Sequence, residues 1–134
     1  MKLKYPYEVK VSPDFGIIPT IKLLLEVESP KGPAPFIFLF DTGADVSSLP
    51  SAAAKKLGVD LDKCPQETMS GYEGNSVTVY MSPIKIKFGD KFFPIPCVFH
   101  PSDDVPILLG RAGILDKFNI FLDGKKKEIT FEQL

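Results

Sequence analysis

Residues from which metal sites and disulfides are built are scarce in this sequence. Its 134 residues include two cysteines and one histidine. Cys64 and Cys97 form no CxxC pair, and together with His100 they are too few for a structural zinc site. We therefore expect two reduced cysteines, and a protein that works without a metal or another cofactor.

Long apolar runs and an excess of one charge are also absent. No run approaches the ~20 apolar residues that cross a bilayer, and the N-terminal stretch, MKLKYPYEVK, lacks the apolar core of a signal peptide. The 16 basic residues nearly balance the 17 acidic ones, which leaves a formal net charge of −1. Such a chain has no general attraction to nucleic acid or to an anionic membrane. We expect a cytoplasmic protein with neither kind of partner.

The apolar pattern is mainly that of β-strands. A length of 134 residues corresponds to one domain, which we place at residues 1–134. Gly89-Asp90 and Asp123-Gly124 predict hairpin turns between neighbouring strands. Alternating or continuous apolar runs predict strands at residues 7–11, 20–28, 36–40, 77–81, 84–88, 93–99, 107–109, 119–122 and 128–132.

Two segments break this β pattern. The segment PSAAAKKLG (50–58) contains good helix formers, with Ser51 as a predicted N-cap and Gly58 as a stop. A second segment, RAGILDKF (111–118), has room for about two helical turns. The sequence thus predicts an all-β fold, a closed barrel or sandwich with two short helices.

The stretch most informative about function is FIFLFDTGADVSSLP (36–50). Its apolar run leads directly to Asp41, and a carboxylate at the end of a buried strand needs hydrogen-bond donors around it. The small residues Thr42, Gly43 and Ala44 allow a tight turn in which backbone N–H groups and a hydroxyl approach that carboxylate. An ordinary β-turn is the alternative interpretation, because Asp and Gly are common in turns.

Three segments in this order resemble the retropepsins, the retroviral-type aspartic proteases, and especially their standalone cellular relatives. LFDTGADVSSLP, with the predicted helix after it, is similar to the catalytic loop of that family. MSGYEGNSVTV (69–79) resembles the flap hairpin that closes over the substrate, although an ordinary hairpin loop is possible there. ILLGRAGILDKF (107–118) resembles the second signature of the family. The resemblance implies a retropepsin-like β fold with a flap.

The resemblance also implies a chemistry that needs two aspartates, yet the chain has a single D-[ST]-G motif. A second copy of the chain is therefore expected to supply the second carboxylate, in a homodimer with Asp41 beside its two-fold axis. The implied activity is that of an aspartic endopeptidase acting on a peptide or protein substrate. In viral members the termini of both chains interleave in a small sheet, and the sequence leaves open whether MKLKYPYEVKV and ITFEQL do so.

Individual roles follow from the resemblance. Asp41 is the implied catalytic residue, in a loop with Thr42, Gly43 and Ala44. Arg111 is implied to support this loop through an ion pair with Asp45 or through a dimer contact, and the alternative is a simple surface arginine. Gly110 is the second implied support residue. The residues implied to contact the substrate are Asp45, Gly71, Tyr72, Val105, Pro106 and Leu108.

Two other functions remain compatible with the sequence. One is a dimeric module on the same fold that binds extended peptides without cleaving them. The other is a structural β domain with a fortuitous Asp-Thr-Gly turn, which predicts a monomer at high concentration. Replacing Asp41 with asparagine distinguishes the enzyme from the binding module, because this substitution abolishes cleavage and leaves peptide binding intact.

Overall fold

The fold is that of a computed structural model, which describes residues 1–70 and 74–134. Within these ranges the chain is mainly β, with one α-helix and one short 3-10 helix. The elements are β1 (Lys2–Pro6), β2 (Glu8–Ser12), β3 (Gly16–Thr20), β4 (Lys22–Val27), β5 (Ala34–Phe40), β6 (Ser47–Pro50), α1 (Ser51–Leu57), the 3-10 helix (Leu61–Lys63), β7 (Gln66–Ser70), β8 (Ser76–Met81), β9 (Ile84–Phe88), β10 (Lys91–Ile95), β11 (Cys97–His100), β12 (Leu108–Leu109), β13 (Phe118–Asp123) and β14 (Glu128–Gln133).

Nine of the described strands form one large sheet in the order β10-β9-β4-β5-β12-β6-β11-β8-β7. The all-β prediction is confirmed, but the sheet curls into a half-barrel and does not close. Its end strands, β10 and β7, each pair with a single described neighbour, so the ring of hydrogen bonds that a closed barrel needs is incomplete.

The core lies inside the curl of this sheet. β4 alternates strictly, with Leu23, Leu25 and Val27 buried and the residues between them exposed. This period of two is what a strand with one face on the core produces. A cluster of aromatic rings fills the space towards the C-terminal strands, with centroid separations of 5.0 Å for Phe88–Phe118 and 5.4 Å for Phe88–Phe131.

The two chain termini pair with each other in a separate three-stranded sheet, of order β1-β14-β13. β1 runs antiparallel to β14, from Lys2 opposite Glu132 to Pro6 opposite Glu128. An ion pair of 3.2 Å joins Lys2 Nζ to Glu132 Oε2 on this sheet. Within one chain β14 is therefore paired on both sides, and β1 pairs with β14 alone among the described strands.

The helix predicted at residues 50–58 is confirmed as α1, which ends at Gly58 in the left-handed conformation (φ +72°). The prediction of Ser51 as N-cap is wrong. The N-cap is Pro50, whose side chain makes no capping bond. Asp103 Oδ1 instead accepts from the Ala52 N–H and from the Ser51 hydroxyl, both at 2.7 Å. A residue far along the chain therefore caps this helix.

The prediction of a second helix over residues 111–118 is wrong. The segment forms successive turns, in which the N–H groups of Ile114 and Leu115 both donate to Arg111 O at 3.0 Å. Gly113 adopts φ +79°, which interrupts a right-handed helix.

In the described residues no helix is long and apolar enough to cross a membrane.

Candidate active site

Asp41 lies directly after β5, and its backbone is held from both sides. β12 runs parallel to β5 on one side, and β4 runs antiparallel on the other. The Asp41 N–H donates to Leu109 O at 3.0 Å, and the preceding N–H, of Phe40, donates to Ile21 O at 2.9 Å. The position of this carboxylate is therefore fixed by three strands.

The backbone crosses itself closely beside Asp41. β12 lies between β5 and β6, and Gly110 follows it where the chain passes the start of β6. A Cβ at Gly110 would lie 2.5 Å from Val46 O and 2.9 Å from Ser47 N. The Gly110 N–H also donates to Ser47 Oγ at 3.0 Å, which pairs a fully buried hydroxyl. Glycine is required here because both neighbours are backbone atoms.

The turn after β5 brings a donor to the carboxylate. The Gly43 N–H donates to Asp41 Oδ1 at 2.8 Å, and the Ala44 N–H donates to Asp41 O at 3.2 Å. A Cβ at Gly43 would lie 3.1 Å from Asp41 Oδ1, so the turn and the carboxylate are in close contact. Asp41 is half-buried, while Thr42 and Gly43 are exposed. The carboxylate is thus oriented by a backbone N–H and still reachable from solvent.

Arg111 connects the segment after β12 to the turn that carries Asp41. Its Nη1 donates to Thr42 O at 2.6 Å, and its Nη2 forms an ion pair with Asp45 Oδ1. Its backbone N–H donates to Ala44 O at 3.0 Å. The forked guanidinium therefore contacts the turn at two points, a geometry that suits arginine better than lysine.

The residues with implied substrate contacts lie in two other places. Val105 and Pro106 lie in the loop that leads into β12, and Leu108 lies within β12 opposite Leu39 and Ser48. β7 and β8, at one end of the large sheet, pair antiparallel as far as Ser70 opposite Ser76, at the position of the predicted flap. Gly71 and Tyr72 lie outside the described residues.

The loop before β12 is attached to α1 through Asp103. The pKa of Asp103 is held below its ordinary value, mainly by the Ser51 hydroxyl and also by the Ala52 N–H, because both donate to the ionised carboxylate. Reasoning from the sequence missed this contact, since 51 residues separate Asp103 from Ala52. Ser47 was also missed, because β6, in which it lies, has no alternating apolar pattern that would mark it as a buried strand.

Two further features lie around this site. A cavity of about 610 Å³ lies beside the turn, lined mainly by apolar residues that include Val46, Met81, Cys97 and Val98, and Asp41 does not line it. Within residues 1–70 and 74–134, no three His, Cys, Asp or Glu side chains converge as metal ligands.

A family model described as aspartyl protease matches residues 26–112, which contain β5, the turn at Asp41, the β7–β8 hairpin and Arg111. The chain belongs to the aspartyl protease family. A search among curated proteins found no match to this aspartyl protease.

Two solved structures resemble this aspartyl protease in fold. A retropepsin-like aspartic protease from Rickettsia conorii has a TM-score of 0.66 at 17% identity, over 98% of this chain and 89% of the other. The EIAV protease in complex with the inhibitor HBY-793 has a TM-score of 0.51 at 22% identity, over 67% of this chain and 80% of the other. At these identities the likeness concerns the fold, which is therefore retropepsin-like, as the sequence resemblance predicted.

Proposed function

We propose that this aspartyl protease is an endopeptidase that works as a homodimer, with Asp41 of each subunit forming one catalytic pair. The observation that carries the proposal is the position of Asp41. Its carboxylate stands at the end of buried β5, accepts one N–H from Gly43 and remains accessible to solvent. This is the placement that a group needs in order to exchange protons with a bound water.

Two other aspartates of the chain already have partners of their own. Asp45 is engaged by Arg111, and Asp103 is engaged by Ser51 and Ala52. The sequence contains no second Asp-Thr-Gly or Asp-Ser-Gly. A two-fold axis beside the turn brings a second Asp41 with an identical environment, so the missing partner is supplied by symmetry.

The electrostatics of such a pair provide both an acid and a base. Two ionised carboxylates ~4 Å apart at an effective dielectric of ~20 repel each other by about 4 kcal/mol. The pair therefore keeps one shared proton over a broad acidic range. The ionised member removes a proton from water, whose oxygen attacks the peptide carbonyl carbon, while the protonated member donates to the carbonyl oxygen. The C–N bond of the tetrahedral intermediate then breaks as its nitrogen is protonated, without an acyl-enzyme.

The residues around the pair receive supporting roles in this proposal. Thr42 hydrogen-bonds across the two-fold axis and braces the two turns. Gly43, through its backbone, and Asp45 bind the main chain of the substrate. Gly110 and Arg111 keep the turn in place. The remaining residues contact the substrate from above and beside it: Gly71 and Tyr72 from the flap, and Val105, Pro106 and Leu108 as an apolar subsite wall that favours apolar residues around the cleaved bond.

The proposal is tested by incubating concentrated protein with a mixed peptide library from about pH 3 to about pH 7, beside the Asp41→Asn variant. We expect cleavage by the wild type and none by the variant, whose circular dichroism and sedimentation stay unchanged. Cleavage that survives Asp41→Asn refutes the proposed chemistry. Peptides that bind both proteins and are cleaved by neither identify a binding module.

A further inference from the structure

A β-hairpin at residues 8–20, here called the arm, stands apart from the rest of the described chain. β2 and β3 pair with each other over five residue pairs, from Glu8 opposite Thr20 to Ser12 opposite Gly16, and join neither larger sheet. An isolated two-stranded hairpin is marginally stable in water. A surface that covers one of its faces would therefore stabilise it.

One face of the arm is entirely apolar and exposed. Val9 lies opposite Pro19 and Val11 lies opposite Ile17, so these four side chains share a face. The exposed fractions are 79% for Val11, 68% for Ile17 and 40% for Val9. The other face carries the polar residues Glu8, Lys10, Ser12 and Thr20, with Ile18 opposite Lys10. The arm is thus amphipathic, with its apolar side turned to solvent.

The tip of the arm adds an aromatic side chain that is held outwards. Ser12 Oγ accepts from the N–H groups of Asp14 and Phe15, at 3.3 and 3.2 Å, and Gly16 takes φ +76°. Phe15 in this ordered turn is 80% exposed. Together with the apolar face, the tip exposes on the order of 400 Å² of apolar surface, about half of what one partner contributes to a standard interface.

The base of the arm lies at the same end of the large sheet as Asp41. The chain leaves β3, passes Ile21 and enters β4, which runs away from that end. Ile21 O accepts from the Phe40 N–H, one residue before Asp41, and on the other side the Tyr7 N–H donates to Lys127 O at 2.9 Å. The Ile21 end of the arm is therefore anchored beside the turn that carries Asp41, and the Tyr7 end is anchored to the turn between β13 and β14.

We infer that the arm is a dimerisation element whose apolar face and tip pack on a second copy of this chain. The inference rests on the proposed function, because the pairing of two Asp41 turns requires a second copy at the base of the arm. β1 and β14 pair with each other within one chain, whereas the arm joins neither larger sheet and leaves its apolar face uncovered beside the Asp41 turn. The arm offers the apolar area that the small turns alone lack.

The inference is tested with Val11→Lys/Ile17→Lys, a double variant of one cross-strand pair on the apolar face. Its matched control is Leu24→Lys/Ile37→Lys, a cross-strand pair on the outside of β4 and β5 with exposed fractions of 67% and 59%. We expect sedimentation velocity to show a dimer dissociation constant raised at least about 100-fold by the arm variant. The control is expected to stay within about threefold of the wild type.

A second measurement does not depend on the folding of a double variant. A photoreactive benzophenone side chain at position 15 is expected to give a covalent dimer of the full chain on irradiation. A wild type that remains monomeric at high concentration, an equal effect of the control pair, or crosslinks formed only to added peptide substrate would each overturn the inference.

The two proposals fail in different ways. If cleavage depends on Asp41 while dissociation is insensitive to Val11→Lys/Ile17→Lys and position 15 gives no covalent dimer, the arm inference fails and the proposed function stands. If the arm variant weakens the dimer and Asp41→Asn leaves cleavage unchanged, the proposed chemistry fails and the arm inference stands.

Discussion

Replacing Gly110 with alanine is expected to destabilise the protein strongly through a steric conflict between backbone segments. The added Cβ would lie 2.5 Å from Val46 O and 2.9 Å from Ser47 N, and closer still to the Val46 carbonyl carbon. Unstrained carbon contacts lie at about 3.5–4.0 Å, so the overlap is on the order of 1 Å. Backbone atoms cannot rotate away as the end of a side chain can, and β6 and β12 must therefore separate.

The cost of that separation follows from the contacts it breaks. Overpacking in a well-packed region costs about 1–3 kcal/mol, and we expect the upper end because the Gly110 N–H also loses its bond to buried Ser47. The displacement reaches Asp41, whose N–H donates to Leu109 O. Gly110→Ala is therefore expected to lower the free energy of unfolding by about 3 kcal/mol and to abolish peptide cleavage.

The assay is urea unfolding at one fixed protein concentration, with the midpoint and the m-value fitted together. Gly124→Ala is the matched control, because a Cβ at Gly124 would meet no atom within 4 Å. The control is expected to stay within about 0.5 kcal/mol of the wild type. If Gly110→Ala unfolds at the same urea concentration as the control, the close crossing of β6 and β12 is refuted.

Three smaller perturbations test the surroundings of the turn. Gly43→Ala brings a methyl group to 3.1 Å from Asp41 Oδ1, so kcat should fall at least tenfold with a change in unfolding free energy below about 1 kcal/mol; unchanged kcat would contradict the contact. Arg111→Lys loses the forked contact with the turn and with Asp45, so kcat should fall. The free energy of unfolding should change by less than about 1 kcal/mol, because the ion pair is exposed. A kcat equal to that of the wild type would contradict this role. The pKa of Asp103 is lower in the folded protein than its ordinary value of 3.8. The wild type should therefore be more stable than Asp103→Asn above pH 3.8, and this difference should disappear as the pH falls through the lower folded pKa. A difference in melting temperature between the two proteins that stays constant across this range would refute the capping contact.

The sequence was most informative where local pattern and tertiary structure agree. The alternating run IKIKF predicted β9 at residues 84–88 with correct ends, and Gly89-Asp90 predicted the hairpin that follows it. The alanine-rich segment predicted α1. In each case the side chains that face the core repeat with the period of the element, so a local pattern carries the information.

Prediction failed where distant segments decide the local structure. Residues 111–118 contain helix formers, but the N–H groups of Arg111 and Ala112 donate to Ala44 O and Asp45 O, and Gly113 takes a left-handed conformation. β6 was missed because its SSLP sequence has no alternating apolar pattern, although it is nearly fully buried between β12 and β11. The arm was only half predicted, because β3 contains Pro19 and has no core on which an apolar pattern could be read.

The sequence indicated which segments form the candidate site but not the contacts that support it. The resemblance named Asp41, Gly110 and Arg111 as a group, and the fold brings Gly110 and Arg111 against the turn that carries Asp41. The buried hydroxyl of Ser47 and the attachment of the 101–107 loop through Asp103 depend on pairs of residues far apart in the chain. Such pairs leave no periodic signal in one sequence.

The measurement that most directly tests a catalytic pair shared by two subunits is subunit mixing. Wild-type protein is held at a fixed concentration at which it is dimeric, and Asp41→Asn protein is added and allowed to exchange. A pair with one Asp41 from each subunit predicts that cleavage falls to about one half at equal amounts and to about one tenth at a ninefold excess, because mixed dimers hold half a pair. Cleavage that stays constant as the variant is added would contradict the shared pair.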